Sequence, residues 1–235
     1  MELYLIRHGQ SANNADEETG KPRVCEPPLT EAGREQARRV AERLKALDWA
    51  RVSYDEAGAK RGQRLTRLYA SPMLRTLETA EAIRQTTGLI PYVWTDTHEA
   101  GGVWLDSGDG RGPVGMSGLG RAEMQERFPH FVLPAEVRED GWWNRPWEDA
   151  ASAYARAQRV AGALRELAET DERVGIVNHG GIGSYLVDAL LGLPFTPQVR
   201  FRMNNTSICR LDVVPEGATL QFSNRTDHLP GELVT

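Results

Sequence analysis

Two histidines, two arginines and one carboxylate are the side chains of this 235-residue sequence best suited to chemistry. Arg7 and His8 are adjacent, Arg75 and Glu99 follow later in the chain, and His179 precedes two glycines. A neutral imidazole nitrogen can act as a nucleophile, and guanidinium groups bind phosphate oxygens through paired hydrogen bonds. These residue types therefore indicate phosphoryl transfer.

Other chemistries fit the sequence less well. It contains neither a His-Glu-x-x-His nor a paired-cysteine motif, so no metal site is predicted. It has no Gly-x-Ser-x-Gly motif of the kind that carries a nucleophilic serine. Cys25 and Cys209 lie far apart, and we expect two reduced thiols. We predict that no metal or organic cofactor is required.

Composition narrows the choice of partner and location. The formal net charge of −5 argues against a dedicated binder of nucleic acid or of an anionic membrane. No apolar run is long enough to span a bilayer, and the first residues do not resemble a leader peptide. We expect a cytoplasmic protein whose partner is a small phosphorylated substrate. A homodimer remains open, because nothing in the sequence sets the oligomeric state.

Strands and helices alternate along the predicted chain. Strands are expected at 3–6, 65–70, 91–94, 174–178, 207–213 and 220–223. Helices are expected at 30–47 with Thr30 as N-cap, at 71–87 with Ser71 as cap and Pro72 as first residue, at 121–127, at 149–169 and directly after His179. Residues 11–29 are predicted to form a loop, and a basic stretch around Lys60 and Arg61 precedes the second strand. This order predicts a three-layer α/β fold, with a mostly parallel sheet and helices on both faces.

Such a sheet binds its ligands beyond the carboxyl ends of its strands. Four of the predicted strands are followed by chemically capable residues: His8, Arg75, Glu99 and His179. The topology alone is therefore expected to bring these residues to one edge of the sheet.

Residues 100–148 differ from the rest of the chain in being rich in glycine and tryptophan. We interpret them as an insertion, or cap, within a single domain that covers 1–235. Trp142, Trp143 and Trp147 are compatible with two roles. They could fill a small core of the insertion, or line a substrate pocket in which Arg145 contacts an anion.

Several motifs in order along the chain resemble those of the histidine phosphatase superfamily, which is phosphoglycerate mutase-like. They read Leu5-Ile6-Arg7-His8-Gly9-Gln10-Ser11, then Asn14 and Pro28-Leu29-Thr30-Glu31-Ala32-Gly33, then Ser71-Pro72-Met73-Leu74-Arg75-Thr76 with Glu78-Thr79-Ala80, and Val177-Asn178-His179-Gly180-Gly181. Asn224 with His228-Leu229 is similar to the family's closing segment. The resemblance covers residues 1–50, 65–99 and 150–229, and leaves out the insertion.

The resemblance implies a role for each matching residue. His8 corresponds to the phosphorylated nucleophile, and Arg7, Arg75 and His179 to the groups that hold the phosphoryl oxygens, with Asn14 assisting. Phosphate is expected to face the helix that begins at Gly180. Gln10 stands where many members carry Glu, and keeps hydrogen-bonding capacity without the charge. Taken singly, His8 could be a surface or capping residue, His179 a core histidine and Arg75 a solvated helix residue.

The proton donor is implied less directly. Glu99 corresponds to the general acid, which protonates the leaving oxygen and later activates water. Asp96, Asp106 and Glu123 lie nearby in sequence and stay open as alternatives.

The resemblance implies a metal-independent phosphomonoesterase that works through phosphohistidine. A cofactor-dependent phosphoglycerate mutase is the alternative, although Ala100-Gly101-Gly102-Val103-Trp104 does not resemble the Tyr-Gly-containing stretch of true mutases. A non-catalytic module that binds a phosphorylated ligand is a third hypothesis. Such a module is expected to lack a histidine or an arginine of the set, and all are present here.

Overall fold

The computed structural model describes residues 1–16, 21–46 and 64–235. Its centre is a six-stranded sheet formed by β1 (Glu2–Arg7), β2 (Arg67–Ala70), β3 (Pro91–Val93), β6 (Arg173–Asn178), β7 (Ile208–Val214) and β8 (Gly217–Arg225). Across the sheet the strands lie in the order β3-β2-β6-β1-β7-β8. The first four in spatial order are parallel, whereas β7 is antiparallel to both β1 and β8. Leu47 and the Lys60-Arg61 pair, which figure in the sequence predictions, lie outside the described residues.

Helices cover both faces of the sheet. They are α1 (Ala12–Asp16), α2 (Glu31–Lys45), α3 (Leu74–Thr87), α4 (Arg121–Arg127), α5 (Ala150–Glu166) and α6 (Gly180–Leu190). Helices α2 and α3 pack into the core on one face, and α5 and α6 into the core on the other. The predicted three-layer α/β fold is confirmed. The loop predicted for 11–29 contains the short helix α1, which the sequence analysis missed.

Strand β1 shows how the sequence sets this architecture. Leu3, Tyr4, Leu5 and Ile6 are fully buried, as expected for a parallel strand covered on both faces. Because side chains alternate along a strand, Tyr4 and Ile6 enter the core with α2 and α3, while Leu3 and Leu5 enter the core with α5 and α6. Each such side chain contributes about 1.5–3 kcal/mol of burial free energy.

The segment 100–148 shares the core on the α2 and α3 side. It contains α4 and the antiparallel pair β4 (Trp104–Asp106) and β5 (Pro113–Gly115). Its buried residues belong to the same cluster as Tyr4 and Ile6; they are Val103, Leu119, Met124, Phe128, Phe131, Val137, Trp142 and Trp143. Of the three tryptophans left open above, Trp142 and Trp143 therefore fill a core, while Trp147 is exposed.

Helix α3 begins later than the sequence predicts. Its N-cap is Met73, which makes no side-chain capping bond, and Leu74 is its first residue. The Ser71 hydroxyl that was expected to cap this helix lies 2.7 Å from His179 Nε2 instead. The Leu74 N–H is satisfied by the carboxylate of Glu26, at 3.0 Å. The predicted Ser71 cap is wrong, because two residues from distant parts of the chain intervene. His179 bonds to the Ser71 hydroxyl, and Glu26 takes its place as the cap of α3.

Among the described residues, no helix has the length and apolar character needed to cross a membrane.

Candidate active site

The pairing of β1 with β6 brings the two histidines together. In this parallel pair Ile6 lies opposite Val177, and Arg7 opposite Asn178. His8 and His179, the next residue of each strand, therefore emerge side by side at the carboxyl edge of the sheet. Their ring centroids are 5.1 Å apart and both side chains are buried.

The hydrogen bonds of His8 define its tautomer. Nδ1 lies 2.7 Å from the Gly9 carbonyl oxygen, and because that oxygen only accepts, Nδ1 carries the hydrogen. Nε2 accepts a hydrogen bond from Arg75 Nε at 3.1 Å. Burial and the nearby charges of Arg75 and Arg7 hold the His8 pKa well below its usual value. The nitrogen facing Arg75 is thus a neutral imidazole nitrogen with a lone pair.

The backbone around His8 is fixed by residues that the sequence analysis did not assign to the site. The His8 carbonyl accepts hydrogen bonds from Asn205 Nδ2 and the Thr206 N–H, and the Gly9 N–H donates to Thr79 Oγ1. A Cβ at Gly9 would lie 2.4 Å from the backbone oxygen of Gly33, in the first turn of α2. Only glycine allows this close approach.

The two arginines supply positive charge next to His8. Burial lowers the pKa of Arg75 to about 10, with Glu26 and Glu99 opposing the shift, so this guanidinium is charged at neutral pH. Arg7 Nη1 donates to the Met203 carbonyl oxygen at 2.6 Å. These side chains can therefore hold an anion at the lone pair of His8.

His179 has one nitrogen engaged and one without a partner. Its Nε2 lies 2.7 Å from Ser71 Oγ, which also accepts a long hydrogen bond from the Met73 N–H. A serine hydroxyl can donate to Nε2 or accept from it, and where it donates, the neutral ring carries its hydrogen on Nδ1. Nδ1 has no hydrogen-bond partner within 1–16, 21–46 and 64–235. In that tautomer it is a buried donor able to bind a phosphoryl oxygen.

Glu99 lies at the start of helix α6. Its carboxylate accepts hydrogen bonds from the N–H groups of Gly181 at 3.1 Å and Ile182 at 2.8 Å, as well as from Ala100. Phosphate was expected to face these N–H groups, but a carboxylate already satisfies two of them. A helix N-terminus attracts either anion. The Glu99 carboxylate therefore lies at the first turn of α6, the helix whose N-cap residue is His179.

The other candidate acids are placed differently. Asp96 lies in a short 3₁₀ helix, Asp106 is exposed on β4, and Glu123 is exposed on α4 and pairs with Arg127. Of the four carboxylates, Glu99 is the one that caps the helix following His179.

Comparison with known proteins identifies the family. The model of the histidine phosphatase superfamily (branch 1) matches residues 3–226. The chain belongs to this superfamily.

Curated relatives and solved structures match nearly the whole chain. The probable phosphoglycerate mutase GpmB of Cronobacter sakazakii is 28% identical over 222 residues, which cover 90% of this chain and 85% of that protein. The structure of Bacillus stearothermophilus YhfR is 23% identical, with a TM-score of 0.62 and coverage of 97% and 98%. A mycobacterial glucosyl-3-phosphoglycerate phosphatase is 23% identical, with a TM-score of 0.59 and coverage of 96% and 99%. The two structures show the shared fold.

The remaining predicted residues of this histidine phosphatase superfamily member make varied contacts. Asn14 is oriented through its Oδ1, which accepts from Ser11. Gln10 Oε1 accepts from the Thr30 hydroxyl at 2.8 Å, which ties Gln10 to the start of α2. Gly180 is the first residue of α6, and Arg145 is exposed with its Cζ 5.6 Å from the centre of the Trp143 ring.

Glu26 is a carboxylate of the site that the sequence analysis missed. Besides capping α3 it accepts a hydrogen bond from Trp142 Nε1 at 3.2 Å. Burial raises the pKa of the Glu26 carboxyl, while the Leu74 N–H and the charge of Arg75 act against that shift. No local pattern announces this role, since Glu26 reads as one polar residue in a loop.

Within the described parts of the chain, no three His, Cys, Asp or Glu side chains are grouped as metal ligands would be.

Proposed function

We propose that this protein is a metal-independent phosphomonoesterase that forms a phosphohistidine at Nε2 of His8. The observation that carries the proposal is the Nδ1 hydrogen bond to the Gly9 carbonyl. This bond directs the lone pair of Nε2 toward Arg75. The nucleophile and the positive charge that attracts its substrate thus meet at one point.

The reaction has two halves. In the first, Nε2 attacks phosphorus, the bond to the leaving oxygen breaks, and Glu99 gives that oxygen a proton. In the second, water attacks the phosphohistidine, Glu99 takes a proton from the water, and His8 is released with inorganic phosphate. Arg7, Arg75 and His179 hold the non-bridging oxygens in both halves. The Gly9 carbonyl stabilises the positive charge that the His8 ring gains when phosphorylated.

Labelling tests the nucleophile. Brief incubation with a phosphorylated substrate should leave an acid-labile phosphoryl group on the wild-type protein and none on His8→Ala. A His130→Asn variant, which removes an exposed histidine, should label normally. Vanadate should inhibit, because it resembles the five-coordinate transition state. A His8→Ala variant that kept near-normal turnover would contradict the mechanism.

The second candidate function is a phosphoglycerate mutase, which the names of the curated relatives favour. The same His8 would then return its phosphoryl group to a second hydroxyl instead of giving it to water. Incubation with 3-phosphoglycerate and catalytic 2,3-bisphosphoglycerate, followed by phosphorus NMR, distinguishes the two. We expect inorganic phosphate to accumulate; formation of 2-phosphoglycerate without phosphate release would favour the mutase.

The proposed substrate is a small phosphorylated molecule, with residues 100–148 acting as a cap within a single domain that covers 1–235. Two tryptophans of this segment that lie close to the backbone of Gly101, two residues after Glu99, support this role. A Cβ at Gly101 would lie 2.8 Å from Nε1 of Trp104 and 3.0 Å from Nε1 of Trp147. A panel of phosphorylated metabolites should therefore show selectivity that changes when Trp104 or Trp147 is replaced.

A further inference from the structure

Arg156 and Glu148 form a buried ion pair beside the segment that carries Glu99. Arg156 lies on α5 and is 2% exposed. Its Nε donates to Glu148 Oε1 at 3.0 Å and its Nη2 to Oε2 at 2.6 Å. Burying two charges is costly, and a well-packed apolar pair often stabilises a fold as well. Stability alone therefore does not account for these residues.

The pair holds the backbone on both sides of Glu99. Arg156 Nη1 donates to the carbonyl oxygens of Asp96 at 2.7 Å and His98 at 2.9 Å. The Glu148 N–H donates to the Gly101 carbonyl oxygen at 3.3 Å. The residue just before Glu99 and the residue two after it are thus attached to one rigid ion pair.

The pair also remains charged over a wide pH range. Burial raises the pKa of the Glu148 carboxyl, but its contacts with His98 and Arg156 outweigh burial and hold that pKa at about 2. His98 Nε2 lies 3.7 Å from Glu148 Oε2, which is too long for a hydrogen bond. The bidentate contact with Arg156 is therefore the main constraint on this carboxylate.

We infer that Arg156, acting through Glu148 and the carbonyls of Asp96 and His98, is a positioning residue for Glu99. This inference rests on the proposed role of Glu99 as general acid. An acid must reach the leaving oxygen to within hydrogen-bond distance, and small displacements of catalytic groups cost rate steeply. Arg156 touches no reacting atom in this scheme; it fixes the backbone before Glu99, while the N–H groups of Gly181 and Ile182 hold the Glu99 carboxylate itself.

Arg156→Lys tests the inference, because lysine keeps the charge but cannot make the bidentate contact and the two carbonyl bonds together. Arg165→Lys is the matched control. Arg165 lies on the same helix, and its Nη2 also donates to two carbonyl oxygens, those of Ala189 and Leu190 at the far end of α6. Thermal unfolding of both variants sets a temperature at which each is folded for the rate measurements.

The decisive readout is the dependence of rate on the leaving group. For Arg156→Lys, the single-turnover rate of phosphoryl transfer from glycerol phosphate should fall by at least about 10-fold, whereas that from p-nitrophenyl phosphate should fall by less than about 3-fold. Arg165→Lys should leave the rates on both substrates unchanged. Since both changes act on one step, adding Arg156→Lys to Glu99→Gln should cause little further loss on glycerol phosphate.

The outcomes distinguish a failure of the positioning role of Arg156 from a failure of the assignment of Glu99 as the general acid. If Glu99→Gln lowers glycerol phosphate turnover selectively and Arg156→Lys lowers both substrates equally, the positioning role is overturned while the proposed function stands. If Glu99→Gln is itself unselective, the assignment of the acid fails. Should Arg156→Lys not fold, Glu148→Gln gives the same test. It removes the negative charge of the ion pair, while the amide oxygen of the glutamine can still accept a hydrogen bond from Arg156.

Discussion

His8 and Arg75 are buried side by side, but the site requires one to be neutral and the other to be charged. In the proposed reaction His8 must be neutral to attack phosphorus, whereas Arg75 must be charged to bind the phosphoryl oxygens. Burial disfavours the charged form of both groups. The His8 pKa falls well below 6.5, whereas that of Arg75 falls from 12.5 only to about 10. The same environment therefore deprotonates the histidine and leaves the arginine charged.

Glu99→Gln tests the acid at the same scale. The substitution should slow hydrolysis of glycerol phosphate about 100- to 10,000-fold, because its alkoxide leaving group needs a proton. The loss on p-nitrophenyl phosphate should be much smaller, because a stabilised phenolate leaves without one. Single-turnover measurements keep slow dephosphorylation from masking the difference. Equal losses would indicate that Glu99 only positions other groups, and the acid would be sought at Asp96, Asp106 or Glu123.

Burial of His8 and His179 also makes stability depend on pH. The pKa of both is held well below 6.5 in the folded protein, so below pH 6.5 the unfolded chain binds protons that the native protein does not. Stability is then complete above pH 6.5 and falls on acidification. Between pH 7 and 5 the free energy of unfolding should fall by up to about 2 kcal/mol for each of these two histidines, measured by urea denaturation.

The control for this pH dependence is His8→Asn, which removes one titrating group and leaves His179, His98 and His228, whose pKa values are also lowered. Its stability should fall by up to about 2 kcal/mol less over the same range. An unchanged slope would mean that His8 is protonated in the native state.

At the scale of elements, two helices at the site begin in the same way. Neither Met73 nor His179, the N-cap residues of α3 and α6, makes a side-chain capping bond. In both cases a carboxylate from another part of the chain accepts the free N–H groups: Glu26 at α3 and Glu99 at α6. The helix that carries Arg75 and the helix that follows His179 are thereby fixed to the site itself.

Glu26→Ala tests this device. Loss of the cap should lower the free energy of unfolding by about 0.5–2 kcal/mol. It should also lower activity, because Glu26 fixes the start of the helix on which Arg75 is the second residue. The matched control is Asp149→Ala, which removes the bond from Asp149 to the Ser152 N–H at the start of α5. It should lose similar stability and keep its activity. If both variants lost activity equally, the loss in Glu26→Ala could not be assigned to an effect on Arg75.

The molecule as a whole carries a net charge of −5, yet its site concentrates positive groups. Arg7 and Arg75 adjoin His8, and we propose that they replace the metal ion of other phosphatases. Activity should therefore survive EDTA treatment in full and should not increase with added magnesium or zinc. Loss of activity in EDTA, restored by one metal ion, would show that the cluster has been misassigned.

Local sequence was sufficient to predict the layers of the fold and the histidine pair. The uninterrupted runs without polar residues in β1 and β6 specify strands buried on both faces, and parallel pairing then brings His8 and His179 to one edge. The motifs around these residues also carried the resemblance that the superfamily match bears out. The period of a strand and the chemistry of its last residue are both local properties, so they can be read without the tertiary structure.

Only the tertiary structure decided what surrounds the two histidines. Ser71 bonds to His179 across 108 residues, Glu99 caps Gly181 across 82, and Glu26 caps Leu74 across 48. Each of these side chains is polar and could satisfy a local partner equally well. The choice depends on which distant N–H or imidazole the fold brings within hydrogen-bond distance, and burial then makes that partner obligatory. Ser71 was therefore misread as a cap and Glu26 was not found at all.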